Sequence, residues 1–184
     1  MRRSLIALLA LLVVACGGAP VAAFPAGTPD DLRALSEEVF ASVAAALPAQ
    51  AECLDGLRIE GAWELDDRAR YFPREARLVV RIPATAPQLT VSLVHEIGHH
   101  LDTVCGDDGL RAQFMQAQGH PPDTSWDEGA TWEETPSEQF ATAVVMAVTG
   151  RPDNLRPIRL DPEALAVVAA WGSGEEVTHE PSVP

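Results

Sequence analysis

Residues 91–102 read VSLVHEIGHHLD. On a helix of about 100° per residue with His95 at 0°, Asp102 falls near −20°, His99 near 40° and Glu96 near 100°, whereas Leu93, Val94, Ile97 and Leu101 cluster opposite. The polar and apolar faces separate, so the spacing predicts an amphipathic helix from about Gln88 to Thr103. Two imidazoles one turn apart can reach a single zinc ion at about 2.0–2.1 Å, and the carboxylate next to the first lies beside the metal-bound water. Gly98 sits inside this helix, where glycine costs about 1 kcal/mol relative to alanine. That cost points to a close approach by another element.

A catalytic zinc site uses three protein ligands and one open position. A histidine six residues past His99 would complete one common pattern, but that position is Cys105, and the glycine expected three past His99 is Asp102. That pattern is excluded. The stretch TPSEQFATAVV, 135–145, supplies the favoured third ligand, Glu138. It opens a helix whose Phe140, Ala143, Val144 and Ala147 pack on the far side, and a helix N-terminus stabilises an ionised carboxylate. Glu134 is the competing ligand, although Pro136 favours a loop there.

Working outward, Thr28 as N-cap, Pro29 at the first helical position and Asp31 predict a helix that ends before Pro48. LRIEGAWEL and ARLVVRI read as short strands, the second closed by Pro83 and Pro87. GLRAQFMQAQG is a shorter helix bounded by Gly109 and Gly119. Residues 119–136 have no period and form a long loop. Thr135 with Glu138 has the signature of a capping box, and this helix stops at Gly150. A last helix is capped by Asp161 and terminated by Gly172. The expected class is therefore α+β: a small domain with a short mixed or antiparallel sheet and a helical half carrying the site.

His95-Glu96-Ile97-Gly98-His99 followed by Glu138-Gln139-Phe140-Ala141 resembles the gluzincins of the anthrax lethal factor-like group and the related minimal gluzincins, which pair an HExGH helix with a later Glu-x-Phe-Ala helix. The likeness covers roughly residues 77–148. It implies Zn2+ on His95, His99 and Glu138, Glu96 as general base, and hydrolysis of peptide bonds by Glu-assisted attack of zinc-bound water. Two departures stand out. The acidic residue usual four past the third ligand is Thr142, and the tyrosine usual one to two turns before it is replaced by Thr131 and Trp132. The group that steadies the transition state is thus unassigned, with Tyr71 and His120 as stand-ins. The family's cleft-lining edge strand corresponds to ARLVVRI, where an extended peptide can add by strand pairing; an ordinary edge strand blunted by Arg77 and Arg81 is the other reading.

The N-terminus, MRRSLIALLALLVVACGGAP, has two arginines before an apolar run too short to span a bilayer, which is the grammar of a signal peptide. Val13-Val14-Ala15-Cys16 resembles a bacterial lipobox, implying cleavage after residue 15 and lipidation of Cys16. An ordinary secretory signal cut after Ala15 or near Ala23 is the alternative. The expected organisation is leader 1–15, lipidated tether 16–27, metallopeptidase-like domain 28–172 and flexible tail 173–184. Export implies an oxidising compartment, where Cys53 and Cys105 form an even pair and a disulfide is expected. The formal net charge of −14 disfavours nucleic acid through phosphate repulsion. A monomer acting on protein or peptide, touching the membrane only through its N-terminal lipid, is the expected state.

Other residues carry two readings each. Asp102 either orients His95 or His99 from behind, as carboxylates commonly do for zinc-bound imidazoles, or is a solvated surface acid. His100 is read as structural or exposed. Asp127, Glu128, Glu133 and Glu134 are most simply a solvated loop, and Trp126 and Trp132 either line the cleft or fold back on the core. The alternative to a peptidase is a non-catalytic zincin-fold surface lipoprotein serving as a binding module.

Overall fold

A computed structural model describes residues 20–152 and 157–175. The expected leader, Cys16 and the tail beyond residue 175 lie outside these. Among the described residues, no helix is long and apolar enough to cross a membrane.

The fold is α+β, with a three-stranded mixed sheet and five α-helices among the described residues. Helix α1, Asp30–Ala46, buries Leu32, Ser36, Val39, Phe40 and Val43 at helical spacing. A 3-10 segment, Pro48–Leu54, leads into strand β1, Arg58–Ala62. Strand β2, Ala69–Phe72, was not legible as a strand in the sequence. It turns through Pro73–Ala76 into β3, Arg77–Arg81. The sheet order is β1-β3-β2, with β1 parallel and β2 antiparallel to β3.

This order corrects the expectation that ARLVVRI is the edge. β3 is the central strand, and Leu78 and Val80 are fully buried. The strand bordering the cleft is β2. The other flank of β1 is partly covered, because Ala23 bridges Arg58 and its carbonyl accepts from the Ile59 amide at 2.9 Å. Ala22 is buried and Phe24 packs on the core, so the folded unit begins within the expected tether rather than at residue 28.

Helix α2, Ala86–Cys105, carries the motif. Its N-terminus is closed by Gln88, whose side-chain oxygen accepts from the Thr85 amide at 3.3 Å. Helix α3, Asp108–Gln118, is capped by Asp107 and ended by Gly119. Helix α4, Pro136–Thr149, ends at Gly150, and α5, Pro162–Ser173, is capped by Asp161. The stop after α5 is Gly174, at φ +77°, and not Gly172. Gly172 is an interior residue of α5 whose missing side chain leaves room for Leu47.

The core lies between α1, the sheet, α2 and α4. On its α3–α5 side Phe140 of α4 meets Phe114 of α3, Trp126 of the loop and Trp171 of α5, with ring centroids 5.4, 5.7 and 5.6 Å away. Cys53 and Cys105 are disulfide-bonded, with Cα atoms 6.2 Å apart, which ties the 3-10 segment to the C-terminal end of α2.

Candidate metal centre

Helices α2 and α4 meet where both are small. A Cβ on Gly98 would stand 2.9 Å from the Cα of Ala141, so the absent side chain is what lets the two backbones approach. Glu138 lies one turn before Ala141, and His95 and His99 flank Gly98. The close crossing therefore carries the first turn of α4 up to the imidazole pair.

One Glu138 carboxylate oxygen, Oε2, lies 2.8 Å from His95 Nε2 and 3.3 Å from His99 Nε2. One ligand atom from each of the three side chains falls within 4.8 Å of the others. Two imidazole nitrogens and a carboxylate oxygen are a donor set suited to a divalent ion of borderline softness. A tetrahedral ion with bonds of about 2.0–2.1 Å separates its donors by roughly 3.3–3.4 Å. The Glu138–His99 spacing already matches and the Glu138–His95 spacing needs only a small opening. The three residues fit, and the group could hold a metal ion.

The capping box expected for α4 does not form. Thr135 is the N-cap residue but makes no side-chain cap bond; its hydroxyl donates to the Thr131 carbonyl at 3.0 Å. Glu138 turns one carboxylate oxygen to the two imidazoles instead of to the cap. Glu134, the competitor, is exposed on the 3-10 turn Trp132–Glu134.

Electrostatics follow from burial and neighbours. Burial works to raise the Glu138 carboxyl, but hydrogen bonds with His95 and His99 and their charge hold it well below the usual carboxylate range. For His99 burial opposes protonation, and Glu138 outweighs it by hydrogen bond and charge, so the net shift is upward. Burial pushes the Glu96 carboxyl up, against the pull of His99 and His95 and with Glu138 adding to the rise. The Tyr71 backbone on β2 works weakly against that rise. A carboxylate raised in this way is a better proton acceptor at neutral pH than an exposed one.

The centre opens into a cleft of about 780 Å³ bordered by Arg68, Arg70 and Tyr71 on one side and by Trp126 and Trp132 on the other. Trp132 stacks on His95, with centroids 5.7 Å apart and planes 29° from parallel. Trp126 does both things expected of it: it borders the cleft and packs on Phe114 and Phe140. Asp127 reaches the cleft, whereas Glu128, Glu133 and Glu134 are exposed away from it.

The remaining candidates have definite partners. His100 is buried, its Nε2 lies 2.8 Å from the Cys53 carbonyl and its Nδ1 lies 2.9 Å from the Tyr71 hydroxyl. Because a carbonyl only accepts, Nε2 carries the proton, Nδ1 accepts, and the tyrosine hydroxyl donates to it. The Tyr71 hydroxyl is thus turned to His100 although the ring borders the cleft. His120 Nε2 sits 2.6 Å from Gln139 Oε1, outside the residues bordering the cleft. The two oxygens of Asp102 are taken by Arg111 Nε and Trp126 Nε1, both at 2.9 Å. Neither partner was legible in sequence spacing, since Arg111 and Trp126 lie 9 and 24 residues away.

No protein-family model, no curated protein and no solved structure matches the chain.

Proposed function

We propose that the protein is an exported zinc-dependent peptidase of gluzincin type. The observation that carries this reading is the meeting of Glu138 with the His95–His99 pair while Glu96, one residue along α2, borders the same open cleft. A merely structural zinc site closes its coordination with four protein groups, and a base beside the ligands serves no purpose in such a site.

His95, His99 and Glu138 would hold the ion. Bound there, zinc supplies a Lewis acid that lowers the cost of negative charge on the scissile carbonyl oxygen. Glu96, with its carboxyl raised by burial, takes a proton from the attacking water and returns it to the leaving amine. Trp132, stacked on His95, restricts how that imidazole can turn and walls the cleft beside it. A peptide suits the cleft because β2 runs along it as an edge strand, so an extended chain has a backbone to pair with. Export fits the Cys53–Cys105 disulfide, and the lipid anchor at Cys16 rests on the lipobox resemblance.

Digestion of a peptide library with and without a chelator tests the reading. Chelator-sensitive cleavage, restored by zinc, supports it; intact peptides beside a tightly bound ion instead indicate the non-catalytic binding module.

A further inference from the structure

The loop between α3 and α4 separates the motif helix from the third ligand in sequence, yet the start of α4 has to be held in place for Glu138 to meet the two imidazoles. Asp102 stands one turn past His99 and is buried. Its Oδ2 accepts from Trp126 Nε1 at 2.9 Å, and its Oδ1 accepts from Arg111 Nε at 2.9 Å. Arg111 also reaches the Asp102 carbonyl at 3.3 Å, and its guanidinium lies 5.7 Å from the Trp126 ring centroid. The Trp126 carbonyl in turn accepts from the Ser137 amide at 2.9 Å. Ser137 immediately precedes Glu138 in the first turn of α4.

We infer that Asp102 and Trp126 are positioning residues for the third metal ligand, forming a clasp that runs from α2 through the loop to the backbone beside Glu138. This rests on the metal reading above and extends it to how the site is assembled. The Asp102 carboxylate is matched to two charge-compatible donors, one of them a guanidinium, and such bonds are stronger than neutral ones. The indole N–H has its partner on the very helix that carries His95 and His99. The Ser137 amide is one of the unpaired donors at the start of α4, so its bond to Trp126 sets where that helix begins. The hydrogen bonds of Asp102 therefore run toward the far ligand, Glu138, and not to the imidazoles that share its helix.

The test measures zinc affinity by chelator competition, with thermal unfolding of the metal-free protein run in parallel. Trp126→Phe deletes the indole N–H while keeping a ring against Phe114 and Phe140; Asp102→Ala removes the acceptor of both the indole and the guanidinium. Partners that orient ligands typically change metal affinity by about 10–100-fold. Trp126→Phe is expected to weaken zinc binding by about 10-fold and Asp102→Ala by more, with the metal-free Trp126→Phe protein melting close to wild type. Combined with Glu138→Gln, Trp126→Phe should add almost nothing, because the ligand it positions is already gone. A folded Trp126→Phe protein with wild-type zinc affinity would overturn the clasp while leaving the metal site standing. A wild-type chain that fails to bind zinc overturns both, and a Glu138→Gln variant of undiminished affinity overturns the assignment of the third ligand.

Discussion

The Cα of Ala141 stands 2.9 Å from where a Cβ of Gly98 would be. The glycine of the motif and the alanine one turn past the third ligand are thus the contact point of the two helices that build the centre.

Gly98→Ala gains about 1 kcal/mol in helix propensity but places a methyl group against backbone atoms that cannot yield cheaply. Overpacking of this kind costs roughly 1–3 kcal/mol. The variant is expected to be no more stable than wild type in denaturant titration and to bind zinc more weakly, since α4 must move away from α2. A more stable variant with unchanged affinity would show that the crossing tolerates expansion.

Glu96→Gln separates the base from the ligands. Loss of general-base catalysis typically costs about 10²–10⁴-fold in rate, so cleavage should fall into that range or below while metal analysis still returns about one zinc per chain. Glu138→Gln should lose both the ion and the activity. Loss of metal from Glu96→Gln would contradict the division of roles.

The metal-free protein carries its own signature in pH. Glu138 is lowered in the folded state, so its contribution is present above the unfolded carboxylate value of about 4.3 and is lost as pH falls through the folded one. His99 is raised, so its contribution is complete below the unfolded value of about 6.5 and is lost as pH rises through the folded one. In chelator, the stability advantage of wild type over Glu138→Gln should therefore peak between about pH 4.3 and 6.5 and shrink on either side. Zinc binding must displace those protons and should strengthen with rising pH. Urea melts across pH, with and without chelator, measure both trends.

The Cys53–Cys105 bridge closes 52 residues, and on the chain-entropy model a loop of that size contributes roughly 4 kcal/mol. Cys53→Ser with Cys105→Ser, or reduction of the native chain, should cost about 2–5 kcal/mol in denaturant titration. Thiol counting should find no free thiol from this pair before reduction. His100 links the same bridge to the cleft, since the Cys53 carbonyl and the Tyr71 hydroxyl are its two partners, so reduction is expected also to raise amide exchange in β2.

Much of this architecture was readable in one dimension because it depends on neighbours in the chain. The helix ends follow from Asp161, Pro162, Gly119 and Gly150, each acting within a few residues through caps and left-handed stops. The HExGH spacing puts both imidazoles on one face whatever surrounds them. β2 escaped notice because it has only four residues, ARYF, with an arginine in the middle and a proline after it. Its identity as a strand comes from pairing with β3, not from its own pattern. The capping box failed for a related reason: Thr135 and Glu138 have the right local spacing, but two imidazoles 39 and 43 residues away hold the carboxylate more strongly than a single cap amide can.

The order of residues alone determined the amphipathic motif helix and the parity of the two cysteines, and it favoured Glu138 while leaving Glu134 as a competitor, because periodicity, capping and proline constraints act over a turn or two. Only the tertiary structure decided which strand borders the cleft, that Gly98 admits Ala141, and that Asp102 grips Arg111 and Trp126 instead of an imidazole. Those outcomes depend on which surfaces can approach closely enough to exclude water, and that is a property of packing in three dimensions that residue spacing does not encode.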